Sequence, residues 1–455
     1  MGPSPVQEVN AVTTSPRAVR RATPRSRHPS PPAKSGEPIR SGEPARSGGP
    51  ARSGGPARPG EPAGPVPGGA ERASDAERAS GPAAPFLPGA EPVRLVDEAG
   101  RRVAGPPGRP GGTGYPEPPT ETLRELYRRM VIGRRFDQQC TALTKQGRLA
   151  VYPSARGQEA CQVAAVLAVR PTDWVFPTYR ESMALTARGI DPVRVLTLLR
   201  GDWHCGYDPA AERTAPQCTP LATQTVHAAG LAYGEAYQGR DTVALAFIGD
   251  GATSEGDFHE GVNFAAVFRA PVVFLVQNNG YAISVPLAKQ TAAPALAYKG
   301  VGYGVASEQV DGNDPVAMLA VLTAAVEHAR SGRGPFLVEA HTYRLEPHTN
   351  ADDAGRYRDA DEVAGWLGRD PIARLEAYLR SAGALDDPAV AAVAAEAEAA
   401  AADLRDRMAV EPTVDPIDLF AHVYARPTPQ LVEQRELVRA ELAAEQEPAS
   451  RTGHG

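Results

Sequence analysis

Residues 247–284 read FIGDGATSEGDFHEGVNFAAVFRAPVVFLVQNNGYAIS, and they decide the fold class. The apolar run TVALAFIG before Asp250 and the run PVVFLVQN before Asn279 are short and continuous. Such runs are typical of strands that are buried on both faces of a parallel sheet. Between them, SEGDFHEGVNFAAVF has the apolar spacing of a helix. Strand, helix and strand in this order predict an α/β fold with a mostly parallel sheet flanked by helices.

Asp250 and Asn279 follow the two predicted strands and should meet at one edge of the sheet, where open parallel sheets bind their ligands. A carboxylate and an amide oxygen suit Mg²⁺, which usually also takes phosphate oxygens and water. Gly249 and Gly251 would let the backbone approach a diphosphate, and a helix opening near Ser254 would direct N–H groups towards it. Either motif alone is more often a simple turn, so the prediction rests on the pair.

The composition excludes several classes of protein. A net charge of −6 argues against nucleic-acid binding, and no apolar run reaches the roughly 18 residues of a membrane span. Four cysteines without a CxxC pair fit reduced thiols better than a zinc site or a disulfide framework. The first thirty residues lack the apolar region of a signal peptide, and lysine is rare among the basic residues. We therefore expect a cytoplasmic, bacterial protein that binds neither nucleic acid nor membrane.

Composition also divides the chain into three parts. Residues 1–118 are rich in Pro, Gly, Ala and Arg and contain the near-repeat IRSGEPARSGGPARSGGPARPGEP, so we expect a long disordered tail. Residues 119–425 carry the strand and helix patterns of the globular domain, including C-terminal helices such as PIARLEAYLRSAG. Residues 426–455 predict one more helix and a frayed terminus.

Several separate motifs occur in an order that resembles one known family. They are FPTYRE, TPLATQ, GDGATSEGDFHEGVNFAA, QNNGYAIS, VDGNDP and TYRLEPHTNADD. The spacing from Asp250 to Asn279 resembles the thiamine-diphosphate motif. Residues 120–425 as a whole resemble the alpha subunit of the decarboxylating first component of 2-oxo acid dehydrogenase complexes, closest to the branched-chain type. The resemblance implies a thiamine-diphosphate-binding fold and oxidative decarboxylation of branched-chain 2-oxo acids such as 3-methyl-2-oxobutanoate, with acyl transfer to a lipoyl group.

The resemblance also implies roles for individual residues. The implied magnesium ligands are Asp250, Asn279 and the backbone carbonyl of Tyr281. The residues implied to bind thiamine diphosphate are Tyr179, Arg180, Thr219, Leu221, Asp250, Gly251, Ala252, Gln277, Asn279, Tyr281 and His348. His348 is also the implied catalytic residue, near the reactive carbon of the cofactor. A loop that binds potassium in branched-chain members, with serine at the first position, is matched here by Cys218, Pro220, Thr223 and Gln224.

In this family the carboxylate that activates the pyrimidine of the cofactor comes from a separate beta chain. The resemblance therefore implies an α₂β₂ heterotetramer, with a lipoyl acyltransferase core and dihydrolipoyl dehydrogenase as further partners. Thr349 stands where animal members carry a regulatory phosphoserine, so regulation by phosphorylation is not carried over. Two alternatives stay open: a pyruvate dehydrogenase alpha subunit, which shares the cofactor motifs, and a non-catalytic cofactor-binding or interaction protein.

Overall fold

A computed structural model describes residues 87–103, 114–202, 204–410 and 415–446. Most of the predicted tail therefore lies outside the described residues. The strands are β1 (Trp174–Phe176), β2 (Ala244–Gly249), β3 (Val272–Asn278), β4 (Tyr281–Ala282), β5 (Val285–Pro286), β6 (Ala306–Asp311) and β7 (Phe336–His341). The first helices are α1 (Thr120–Lys145), α2 (Glu159–Ala168), α3 (Ser182–Arg188), α4 (Pro192–Arg200), α5 (Pro209–Glu212), α6 (Thr223–Tyr237) and α7 (Gly256–Val267). They are followed by α8 (Ala297–Val301), α9 (Pro315–His328), α10 (Ala360–Leu367), α11 (Pro371–Ser381), α12 (Asp387–Met408) and α13 (Pro429–Gln446).

Five strands form a parallel sheet in the order β1-β2-β3-β7-β6. The two strands predicted from the apolar runs are neighbours, and Gly249 lies opposite Gln277 at their carboxyl ends. A separate hairpin pairs β4 with β5 directly after β3. The prediction of a mostly parallel sheet flanked by helices and followed by C-terminal helices is confirmed.

Helices cover both faces of the sheet, which explains why the central strands carry no polar alternation. Along β2, Leu245 and Phe247 pack with one set of helices, whereas Ala246 and Ile248 pack with the other. All seven residues of β3 are buried. Because these strands are buried on both sides, they need apolar side chains at successive positions, as is general for strands of parallel sheets.

The ordered part of the chain begins earlier than the sequence predicts. Within the segment 87–103, Val93 pairs with Val310 on the edge strand β6, and both Val93 and Val96 are buried. The carboxylate of Asp314 accepts hydrogen bonds from the backbone N–H of Leu95 and Val96, both at 2.7 Å. The prediction that the tail extends to residue 118 is thus wrong for this segment, because it completes the edge of the sheet.

The C-terminal segment contains α13, where the sequence predicts a helix. The proposed boundary at residue 425 stays a prediction. Among the described helices, none combines the length and the apolarity that crossing a bilayer demands.

Candidate active site

A cavity of about 510 Å³ opens at the carboxyl ends of β2 and β3. The residues that the sequence assigns to the cofactor and its magnesium ion all line it: Tyr179, Arg180, Thr219, Leu221, Asp250, Gly251, Ala252, Gln277, Asn279, Tyr281 and His348. These residues come from five separate stretches of sequence. The topology brings them together because the ends of neighbouring parallel strands share one edge of the sheet.

Asp250 is a buried carboxylate at the end of β2. It is 1% exposed, and in the described part of the chain it forms no salt bridge. It accepts a hydrogen bond from Nε2 of Gln290 at 2.7 Å and another from the backbone N–H of Asn279. Burial raises the pKa of Asp250, and these hydrogen bonds together with the positive charge of Arg344 oppose that rise. A cation bound here would satisfy the carboxylate, so the donor set fits a hard metal ion.

Gly251 lies where the backbone after β2 meets the β4–β5 hairpin. A Cβ at this position would lie 2.5 Å from the Cβ of Ala282, which leaves no room for a larger residue. A short 3₁₀ turn spans Gly251–Ser254, and α7 begins at Gly256. The helix therefore opens slightly later than the sequence predicts.

Ile283, at the tip of the hairpin, adopts φ +56°, a strained conformation for a β-branched residue, and it lines the cavity.

His348 lines the cavity and is held by two arginines. Its Nδ1 lies 3.1 Å from an N–H group of Arg180 and 3.1 Å from one of Arg344. Arginine only donates, so Nδ1 must be the acceptor and Nε2 carries the proton. Burial, with the charges of Arg180 and Arg344, lowers the pKa of His348 from 6.5 to about 4. The imidazole is therefore neutral near pH 7 and presents an N–H donor.

Arg344 is a cavity residue that sequence reasoning missed. Its side chain is 2% exposed and also donates to the carbonyl of Ile283 at 2.7 Å and to the Tyr357 hydroxyl at 3.0 Å. Its Nε is buried and has no partner among the described residues. Asp352 accepts the backbone N–H of His348 at 2.8 Å and the Tyr357 hydroxyl. The TYRLEP motif contains this arginine, but only the fold shows that it contacts His348.

The wall of the cavity contains a row of buried polar side chains, of which the sequence predicts two. Gln277 and Asn279 are joined through Gln158, and Gln277 donates to Glu181. Glu181 and Gln158 are each 1% exposed and line the cavity. The sequence gives no signal for them, because a glutamine or a glutamate beside a helix is ordinarily a surface residue.

Of the predicted potassium ligands, Cys218 and Pro220 lie in the loop before α6, and Thr223 and Gln224 are the first two residues of that helix. The Cys218 thiol donates to the carbonyl of Pro220 at 3.2 Å, and the Thr223 hydroxyl donates to Asp257 at 3.3 Å. Gln224 donates to the carbonyl of Phe247, whereas its Oε1 is buried and finds no donor in the described ranges. This orphaned oxygen fits a cation ligand. The Cys218 side chain does not add to that fit, because burial raises the pKa of its thiol.

A family model described as the dehydrogenase E1 component matches residues 127–416. The chain belongs to the dehydrogenase E1 component family. The 3-methyl-2-oxobutanoate dehydrogenase subunit alpha of Mycobacterium tuberculosis is 47% identical over 355 residues, which covers 78% of this chain and 95% of the relative.

Two further relatives carry another name, pyruvate dehydrogenase E1 component subunit alpha. The protein from Acholeplasma laidlawii is 39% identical over 323 residues, with 70% of this chain and 94% of the relative covered. The protein from Bacillus cereus is 38% identical over 354 residues, with 77% and 92% covered. The prediction of a 2-oxo acid dehydrogenase alpha subunit is confirmed, and the family implies dependence on thiamine diphosphate.

Proposed function

We propose that this chain supplies the diphosphate-and-metal half of the active site of a branched-chain 2-oxo acid dehydrogenase. The observation that carries the proposal is the shared cavity, in which every residue assigned to thiamine diphosphate and magnesium is brought to the carboxyl edge of one parallel sheet. Asp250, Asn279 and the carbonyl of Tyr281 would hold Mg²⁺. Arg180 and Tyr179 would contact diphosphate oxygens, a role that suits the guanidinium fork.

When bound, the cofactor supplies the electron-accepting ring that makes loss of carbon dioxide from a 2-oxo acid feasible. The chain itself supplies orientation and proton donation. His348 presents its Nε2–H in the cavity, where it can donate a hydrogen bond to an oxygen of the substrate or of the acyl group being transferred. Arg180 and Arg344 keep this histidine in one tautomer, so its donor faces the same way in every turnover.

A beta subunit is the partner implied by an alpha subunit. We propose an α₂β₂ heterotetramer in which the beta chain binds the pyrimidine end of the cofactor, with a lipoyl acyltransferase and dihydrolipoyl dehydrogenase completing the complex. The described residues offer one large sheet and a two-stranded hairpin, and the edge of the large sheet would bind the diphosphate end. The four cysteines are free, which supports a cytoplasmic location. Potassium in the loop of Cys218 stays a proposal that rests on the orphaned oxygen of Gln224.

The apolar part of the cavity supports a branched-chain substrate. Val151, Leu199, Leu221 and Ile283 line it, and the relative with 47% identity is named for 3-methyl-2-oxobutanoate. The reconstituted complex should use 3-methyl-2-oxobutanoate with a higher kcat/KM than pyruvate. Each additional methyl group in an apolar pocket is worth about 1–3 kcal/mol, or roughly 10–200-fold in kcat/KM. Steady-state kinetics with both substrates test this, and a clear preference for pyruvate would support the pyruvate dehydrogenase reading.

The neutral state of His348 predicts an unusual pH profile. Because its pKa is lowered to about 4, the imidazole keeps its functional neutral form at all higher pH values. In the reconstituted enzyme, kcat should therefore show no acidic limb from this residue near pH 6.5. Arg344→Gln removes one of the two positive charges beside Nδ1 of His348. The pKa of His348 should therefore rise, and the acidic limb of kcat should move from about pH 4 towards 6.5.

The matched control is Arg156→Gln, since Arg156 belongs to the globular part but pairs with Glu346 at 2.8 Å instead of contacting His348. Its pH profile should match that of the unaltered enzyme. An Arg344→Gln profile without any shift would show that this arginine does not govern the protonation of His348.

A further inference from the structure

Four buried side chains in the wall of the cavity form an unbroken row of hydrogen bonds. Asn279 donates through Nδ2 to Oε1 of Gln158 at 3.3 Å, and Gln158 donates through Nε2 to Oε1 of Gln277 at 2.9 Å. Gln277 in turn donates through Nε2 to Oε1 of Glu181 at 2.8 Å. The four residues are between 1% and 6% exposed. Every amide in the row donates in the same direction, away from the proposed magnesium site and towards the carboxylate.

The two ends of the row fix that direction. Amide oxygen and nitrogen atoms are hard to tell apart, so an orientation needs a neighbour whose role is certain. At one end the backbone N–H of Tyr281 donates to Oδ1 of Asn279 at 3.3 Å, which identifies that atom as oxygen. At the other end Glu181 accepts the backbone N–H of Thr178 at 2.6 Å and leaves its second oxygen for Gln277. Both ends require the same polarity.

We propose that Glu181 is a positioning residue for the metal site, because its carboxylate orients the Gln277, Gln158 and Asn279 amides. It acts on the metal ion only through Asn279, whose Oδ1 it keeps available as a ligand. This inference rests on the proposed function, in which Asn279 holds Mg²⁺ together with Asp250. It would explain why the carboxylate of Glu181 is buried although it makes no salt bridge in the described part of the chain.

A glutamine at position 181 should reverse the row. Its oxygen must stay on the Thr178 N–H, so its Nε2 would face Nε2 of Gln277 and force that amide to turn. The turned Gln277 would in turn oblige Gln158 to turn and present Nε2 to Asn279. Asn279 would then either lose a hydrogen bond or direct its nitrogen towards the metal ion.

The test uses the complex reconstituted with its beta chain. Binding of thiamine diphosphate is measured by calorimetry over a series of Mg²⁺ concentrations, which requires no turnover. Glu181→Gln should raise the Mg²⁺ concentration needed for half-maximal binding by about tenfold or more, the usual effect of losing a group that orients a metal ligand. Glu235→Gln is the matched control, because Glu235 is also buried and bonded to Thr242 and Arg240 yet does not line the cavity.

A second variant separates orientation from simple damage. In Gln158→Glu/Glu181→Gln, the new carboxylate can accept directly from Nδ2 of Asn279 and from a turned Gln277, so every group in the row is satisfied again. The double variant should recover most of the Mg²⁺ affinity and bind better than either single variant. If the double variant binds no better than Glu181→Gln, or if Glu181→Gln behaves like the control, the positioning role is wrong. The proposed function itself fails separately, if Asp250→Ala leaves cofactor binding unchanged.

Discussion

Purified without a partner, this chain should not decarboxylate 3-methyl-2-oxobutanoate in the presence of an artificial electron acceptor. The cavity residues gather at the edge of one sheet and suit the diphosphate and metal end of the cofactor. In the described ranges, the other strands form only the short β4–β5 hairpin, which leaves no second sheet to hold the pyrimidine end. We therefore propose that the carboxylate that activates the pyrimidine comes from the beta chain.

Adding the beta chain should restore turnover, with one thiamine diphosphate bound per αβ pair. A positioned acid–base group contributes about 10²–10⁴-fold to the rate, so the gain on mixing should be at least about 10²-fold. The control is a mixture in which the alpha chain carries Asp250→Ala, which should stay inactive. Comparable decarboxylation by the verified single chain would refute the half-site proposal, even if each ligand assignment were right.

Asp250→Ala should abolish Mg²⁺-dependent binding of thiamine diphosphate to the reconstituted complex. The variant removes the one acidic ligand proposed for the metal ion, so the charge of the diphosphate is less well neutralised. The fold should survive, because this carboxylate is buried without a salt bridge in the described residues and such a group stabilises a fold poorly. The melting temperature of the cofactor-free variant should therefore not fall, whereas calorimetry should detect no cofactor binding.

Asp403→Ala provides the control, since Asp403 pairs with Arg407 on the exposed face of α12, outside the cavity. It should bind the cofactor as the unaltered chain does. Unchanged affinity in Asp250→Ala would mean that this aspartate is not a metal ligand.

Local sequence pattern was sufficient for the centre of the fold and insufficient for its edges. β2 and β3 could be predicted because burial on both faces demands continuous apolar runs. β6 reads ASEQVD and looks polar, yet all six residues are buried. The segment around Val93 and the helices beside the strand cover it, and Arg374 pairs with Asp311 at 3.0 Å. Partners distant in sequence therefore decide this strand.

Distant partners also order the segment 87–103, which the sequence predicts as part of the tail. Val93 and Val96 are scattered in a stretch whose average composition resembles the tail, so composition alone hides them. Asp314, which lies more than two hundred residues away, accepts hydrogen bonds from the backbone N–H groups of Leu95 and Val96. Contacts between residues so distant in sequence leave no local pattern in either segment.

Site residues that belong to a sequence motif could be predicted. Site residues whose role comes only from contacts in the fold could not. Asp250 and Asn279 stand at strand ends, so chemistry and topology together point to them. Glu181 and Arg344 act through neighbours that the fold supplies, and neither has a distinctive local pattern. Residues of this kind orient the ligands and the histidine, and they become visible only in the packed structure.

The most direct test of the account is to locate the metal ion. A crystal structure of the reconstituted complex with thiamine diphosphate and Mn²⁺ in place of Mg²⁺ would mark the ion by its anomalous scattering. We expect one peak per αβ pair, bonded to a carboxylate oxygen of Asp250, to Oδ1 of Asn279 and to the carbonyl of Tyr281. A peak elsewhere, or a cofactor whose diphosphate lies outside this cavity, would contradict it.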